Sequence, residues 1–145
     1  MITIYKLEAH NQINNKNDEF VTDDYLIGFF SSVVKCDEVK KDYSMLPGFS
    51  LPTCYFSCIS FSFNLSLDRF PKYVYYISDV TIIDDETMDD ICTEIGLALN
   101  EEEAKAKKTS YINERYQNVL PEESTIYIDK YRIDQRYWTE GFIIE

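Results

Sequence analysis

Residues 53–67 alternate large apolar side chains with small or polar ones, and this period of two restricts the fold more than any other feature of the chain. One parity carries the large residues, which are Tyr55, Ile59, Phe61, Phe63 and Leu65. A period of two is that of a β-strand, so we predict a long strand with one face on a core. Residues 72–83 predict a second strand after a turn at 68–71. We expect the two to pair as an antiparallel hairpin at the centre of the sheet.

The chain before this hairpin is predicted to hold one strand and one helix. Residues 2–8 alternate and are β-branched, which is typical of a strand, and the polar residues 10–19 are expected to be an exposed loop. Thr22 or Asp23 can cap a helix over the apolar residues that follow. The stripe of that helix consists of Tyr25, Leu26, Phe29, Phe30, Val33 and Val34.

The chain after the hairpin is predicted to hold two helices and two strands. The acidic residues 84–90 open a helix whose apolar stripe is Met88, Ile91, Cys92, Ile95 and Leu99. Asn100 with Glu103 three residues later is a capping pattern, and the helix it begins runs to about residue 119. This helix is charged early and apolar late, so only its second half is expected to pack. Residues 125–133 and 137–144 form a closing hairpin.

These elements indicate an α+β protein with a largely antiparallel sheet of about five strands and two or three helices packed beside it. The 145 residues are enough for one domain with its own core, so we expect a single domain over residues 1–145.

The charge of the chain restricts its partners. Asp and Glu number 26 against 14 Lys and Arg, which gives a net charge of −12. Binding to phosphates or to anionic membranes requires clustered Lys and Arg, so we expect no direct nucleic-acid contact and no membrane contact. A basic protein partner is the natural complement. Residues 1–6 lack the basic start and apolar run of a signal peptide, and we therefore expect a cytoplasmic protein.

The residues that usually carry catalysis are scarce. His10 is the one histidine, and it lies in the predicted loop without a nucleophile motif nearby. The four cysteines are expected to be free, buried thiols. Cys54 and Cys58 share one face of a predicted strand about 13 Å apart, too far for one zinc ion or one disulfide. We therefore expect no metal, no cofactor and no enzymatic activity.

Two groups of residues favour protein binding instead. The acidic run holds Asp84, Asp85, Glu86, Asp89 and Asp90. Carboxylates complement the dipole of a helix amino terminus. Five carboxylates so close together are more than helix capping requires, because like charges at this spacing repel one another. The closing hairpin adds Tyr131, Tyr137 and Trp138, residue types that often anchor interfaces. Packing across a half-buried strand is the alternative for these aromatic residues.

The resulting hypothesis is a monomeric or small homodimeric inhibitor that occludes a basic surface of another protein, such as a nucleic-acid-processing enzyme or toxin. Immunity proteins and phage inhibitors of nucleases act in this way, although no motif of those families aligns with these residues. One alternative is a structural or assembly subunit of a phage or secretion system. The other is a metal-dependent enzyme that uses the clustered carboxylates.

Overall fold

The computed structural model describes residues 1–14, 20–87 and 89–142 of the chain, and within them it shows six strands and two α-helices. The strands are β1 (Ile2–Asn14), β2 (Phe20–Phe30), β3 (Cys54–Phe63), β4 (Tyr73–Asp84), β5 (Asp89–Ala98) and β6 (Ser124–Arg132). The helices are α1 (Val33–Tyr43) and α2 (Glu101–Tyr116). All strand pairs are antiparallel, so the predicted α+β class with antiparallel pairing is confirmed.

The chain divides into two compact units, and each has its own sheet and helix. Unit 1 comprises Met1–Phe70 and Ile133–Glu145, and unit 2 comprises Pro71–Arg132. The strands thus form two three-stranded sheets rather than one sheet of about five strands. The expectation of a single domain over residues 1–145 stays a prediction.

The sheet of unit 1 has the strand order β2-β1-β3, with α1 packed on one face. Ser32 caps the helix by accepting a hydrogen bond from the Lys35 N–H at 3.2 Å. The core on this face consists of Leu7, Ala9, Ile27, Phe30, Cys36, Val39, Tyr43, Phe49 and Phe142. The helix predicted to begin at Thr22 or Asp23 is wrong over its first part, since residues 20–30 form β2 and α1 begins at Val33.

The error at β2 has a physical cause. A short, nearly continuous apolar run fits the helical period and the strand period equally well, and long-range pairing with β1 decides between them. The same pairing carries β1 on to Asn14, so the loop expected from residue 10 is wrong as far as residue 14. Residues 15–19 of that predicted loop lie outside the described part of the chain.

Residues 133–142 return to unit 1 and do not form the predicted second strand of a closing hairpin. The Tyr137 N–H donates to the Ile27 carbonyl at 2.8 Å, and the Phe142 N–H donates to the Pro47 carbonyl at 2.9 Å. Gly28 permits the close approach of this segment, because a Cβ there would lie 2.5 Å from the Gln135 carbonyl oxygen. Residues 143 and 144 of the predicted strand lie outside the described part.

Unit 2 has the strand order β5-β4-β6, and α2 packs on its sheet around Ile77, Ala98 and Ala104. The predicted hairpin of residues 53–67 with 72–83 is wrong, because β3 pairs with β1 whereas β4 pairs with β5 and β6. The helix predicted to open at residues 84–90 is also wrong, since Asp89–Ala98 form β5.

The helix α2 is confirmed, together with its cap. The Asn100 side chain accepts a hydrogen bond from the Glu103 N–H at 2.8 Å. The expectation that only its second half packs is wrong, because Ala104 in the first turns is fully buried. No helix in the described part of the chain is long and apolar enough to cross a membrane.

Candidate functional site

The acidic run forms the tip of a β-hairpin in unit 2. The ladder between β4 and β6 ends at Thr81 opposite Ser124, whereas the ladder between β4 and β5 continues to Asp84 opposite Asp89. Beyond residue 82 the hairpin is therefore a two-stranded ribbon that extends past β6. We call residues 83–87 and 89–91 the acidic hairpin. Its carboxylates are all exposed, and they are Asp84, Asp85, Glu86, Asp89 and Asp90.

A local hydrogen-bonding pattern explains why the acidic run turns here instead of opening a helix. The Oδ1 atom of Asp84 accepts the backbone N–H of Glu86 at 2.9 Å and that of Thr87 at 3.4 Å. An Asp side chain that bonds to the backbone two residues later stabilises a turn and competes with helix formation. The carboxylates consequently lie at no helix amino terminus, and no helix dipole compensates their charge.

The acidic hairpin is electrostatically unfavourable in the isolated chain. Asp84 lies directly opposite Asp89, and like charges in directly opposed strand positions repel. Among residues 1–14, 20–87 and 89–142, no Lys or Arg forms an ion pair with its five carboxylates. The same ribbon exposes 61% of Ile83 and 53% of Ile91. A cationic surface with apolar patches would complement both properties.

The three predicted aromatic anchors do not lie on a closing hairpin, since β6 is followed by no further strand among the residues described up to 142. Tyr131 lies on β6 of unit 2, directly opposite Val74 on β4. Val74 precedes Asp84 by ten residues along the same strand. At strand rise this places it about 33 Å from the acidic hairpin along β4. Tyr137 and Trp138 belong to unit 1, where Trp138 is 48% exposed and contacts the Tyr25 ring edge-on at 4.9 Å between centroids.

His10 lies on a strand, contrary to the predicted solvated loop, and its two ring nitrogens have polar partners. Nδ1 lies 2.6 Å from the Asp24 carboxylate and Nε2 lies 2.7 Å from the Ser57 hydroxyl. Asp24 is directly opposite His10 on β2, and Ser57 is diagonal to it on β3. The Ser57 hydroxyl thus lies beside His10 in space, although no nucleophile motif is near His10 in the sequence.

The three side chains are hydrogen-bonded in the order hydroxyl, imidazole and carboxylate, which is the order used in nucleophilic catalysis. With a proton on Nδ1 donated to the carboxylate, Nε2 can accept the hydroxyl proton and act as a general base. The Asp24 side chain is 58% exposed, however, so water screens its charge. These hydrogen bonds also stabilise the sheet of unit 1, because they connect its three strands.

A second polar cluster is buried in unit 2. The Asp79 side chain is 1% exposed and accepts hydrogen bonds from Tyr111 at 2.7 Å, from Tyr116 at 2.6 Å and from Thr81 at 3.2 Å. Burial and the adjacent carboxylate raise the pKa of Tyr111 above its ordinary value. The cluster attaches the second half of α2 to the sheet. Its only signal in the sequence is one Asp within an apolar strand.

None of the four cysteines forms a disulfide bond, and the expectation that they are buried is wrong for two of them. Cys36 is buried and Cys54 is half-buried, whereas Cys58 and Cys92 are exposed. Within the part of the chain that the structure describes, no group of three or more His, Cys, Asp or Glu residues could hold a metal ion.

Comparison of the chain with protein-family models, with curated proteins and with solved structures gives no match. The function therefore has to be inferred from the geometry of the described residues. Among these, the acidic hairpin combines exposure, uncompensated charge and apolar surface in one element.

Proposed function

We propose that this chain is a small acidic protein that binds another protein through the acidic hairpin and inhibits it by occluding a basic surface. The observation that carries the proposal is the group of five exposed carboxylates on a ribbon that extends past β6. Their mutual repulsion destabilises the free chain, and a basic partner relieves it. Association is thus favoured by relief of repulsion as well as by direct attraction.

The occluded surface would be one that normally binds phosphates. Carboxylates can occupy the positions of substrate phosphates because both accept hydrogen bonds from Arg and Lys. Ile83 and Ile91 add apolar contact beside the charges. Long-range attraction accelerates association, which suits an inhibitor that must reach its target before the substrate does. We expect such an inhibitor to act in the cytoplasm as a monomer or small homodimer.

Affinity capture from a lysate of the source cell tests this proposal. The unmodified chain at low salt should retain a basic protein and release it as salt rises, since screening weakens the attraction. The variant Asp85→Lys/Asp89→Lys should lose it. The matched control Asp37→Lys/Glu38→Lys makes the same charge change on exposed positions of α1 and should retain it.

Once the partner has been identified, stopped-flow measurements give the rate at which it associates with this chain. The hairpin variant should associate more slowly and with a flatter salt dependence than the control variant. Equal capture and equal association rates for a folded hairpin variant would show that this element is not the binding surface. Sedimentation of the free chain separates the proposal from an assembly subunit, which would form a stable homo-oligomer.

The hydrogen-bonded chain of Ser57, His10 and Asp24 favours a second candidate function, which is acyl transfer with Ser57 as nucleophile. A fluorophosphonate probe that labels activated serines tests it. Labelling at Ser57 that is lost in His10→Gln would support this function. A chain that remains unlabelled at Ser57 would leave these hydrogen bonds with a structural role.

A further inference from the structure

Two cysteine thiols lie in contact in unit 1. The Sγ atoms of Cys36 and Cys58 are 3.1 Å apart, although the residues are separated by 22 positions. A disulfide bond is about 2.05 Å long, so a movement of about 1 Å joins the two sulfur atoms. We call these residues the thiol pair.

The fold brings the thiol pair together through two elements. Cys36 lies on the buried face of α1 and belongs to the core cluster of unit 1. Cys58 lies on β3 directly opposite Leu7, a member of the same cluster, and directly opposed residues of neighbouring strands share a face of the sheet. Both thiols are therefore on the face of the sheet that α1 covers.

We propose that the thiol pair is a site of reversible covalent modification, in which a low-molecular-weight disulfide oxidises Cys36 and Cys58 to an intrachain disulfide. This site is independent of the acidic hairpin and of the proposed inhibitory function. Its two thiols differ in access, because Cys58 is exposed whereas Cys36 is 1% exposed. An external reagent therefore reaches Cys58 first.

The reaction proceeds in two thiol–disulfide exchanges. The Cys58 thiolate attacks the disulfide of oxidised glutathione, so that a mixed disulfide forms and one glutathione thiolate leaves with the proton that Cys58 released. The Cys36 thiolate then attacks the Cys58 Sγ atom, closes the intrachain bond and expels the second glutathione. Two protein thiols are oxidised by two electrons, and one external disulfide is reduced to two thiols.

The second exchange is expected to be the slower one. Burial and the hydrogen bond with Cys58 raise the pKa of the Cys36 thiol, so little of it is thiolate near neutral pH. Cys54 is a poor substitute, because it lies four residues from Cys58 on the same strand, about 13 Å away.

Peptide mapping of the full chain tests the proposal. The protein is incubated with oxidised glutathione, the remaining thiols are blocked with N-ethylmaleimide, and trypsin releases residues 36–40 and residues 42–69. We expect these peptides to be disulfide-linked, and chymotryptic cleavage after Phe56 to assign the link to Cys58. The variant Cys92→Ser is the matched control and should give the same link.

The variant Cys36→Ala tests the order of the two steps. Without the second thiol, the mixed disulfide with glutathione should accumulate on Cys58. If the unmodified chain keeps both thiols free, or carries glutathione on Cys58 without closing the link, the proposal is wrong. The mapping of the unmodified chain decides this even where a variant fails to fold.

Discussion

The buried carboxylate of Asp79 makes a quantitative prediction about the stability of unit 2. Tyr116→Phe removes a hydroxyl that donates to Asp79 at 2.6 Å and leaves the ring in place. A hydrogen bond to a charged group contributes about 1.5–3 kcal/mol, and a buried acceptor that loses it gains no water in exchange. Because Asp79 is only 1% exposed, we expect a loss in the upper half of that range, about 2–3 kcal/mol.

Amide hydrogen exchange followed by mass spectrometry measures this loss locally. Peptides of β4 and α2 should exchange faster in the variant, and peptides of β1 and β3 in unit 1 should not change. Tyr127→Phe is the matched control, because the Tyr127 side chain is 47% exposed and its loss of a hydroxyl should cost under about 0.5 kcal/mol.

A further variant tests the cooperativity of the cluster. Tyr111→Phe combined with Tyr116→Phe leaves Asp79 with Thr81 as its hydroxyl donor at 3.2 Å. The combined loss should exceed the sum of the two single losses, because the second removal leaves a buried charge poorly solvated. A cost below about 0.5 kcal/mol for Tyr116→Phe would refute the assignment of the cluster as the attachment of α2.

Three other predictions concern the two units separately. Burial and the adjacent carboxylate raise the pKa of Tyr111 in the folded state. The contribution of Tyr111 to stability is therefore complete below about pH 10 and is lost as the pH rises further, because the phenol of the unfolded chain ionises first. A pH series of urea unfolding that compares the unmodified chain with Tyr111→Phe measures this contribution. Oxidation of the thiol pair closes a loop of 22 residues and should stabilise unit 1 by about 3 kcal/mol. Urea unfolding, followed by the fluorescence of Trp138, the one Trp of the chain, measures this gain, and an unchanged unfolding midpoint would contradict it. Gly28→Ala should destabilise unit 1 by about 2 kcal/mol, since the new Cβ would lie 2.5 Å from a carbonyl oxygen. In Gly96→Ala the nearest atom to the new Cβ is 3.8 Å away, so thermal melts should show little change for this control.

Elements with a strong local signal could be predicted from the sequence. The alternation at β3, the aromatic run at β4 and the cap of α2 at Asn100 are local features, and the structure confirms these elements. The strands β2 and β5 were predicted as helices, because apolar residues at helical spacing also occur in short strands. Pairing with β1 and β4 decides these segments, and that pairing joins positions that are distant in the sequence.

The candidate sites likewise combine local features, which the sequence shows, with long-range contacts, which it does not. Composition alone identifies the acidic run, but its place at a hairpin tip depends on the Asp84 turn and on the pairing of β4 with β5. The contacts of His10 join residues 14 and 47 positions apart and follow only from the strand register. A single sequence does not contain that register.

The division of unit 1 between both ends of the chain has a consequence for biosynthesis. Unit 2 is contiguous, and its two ends lie close together because Tyr73, two residues after its start, pairs with Arg132 at its end. A ribosome therefore releases every strand of unit 2 before it releases Phe142, which stacks on Tyr25 at 4.2 Å in the core of unit 1. During translation, the half of the protein that is made first is the half that is completed last.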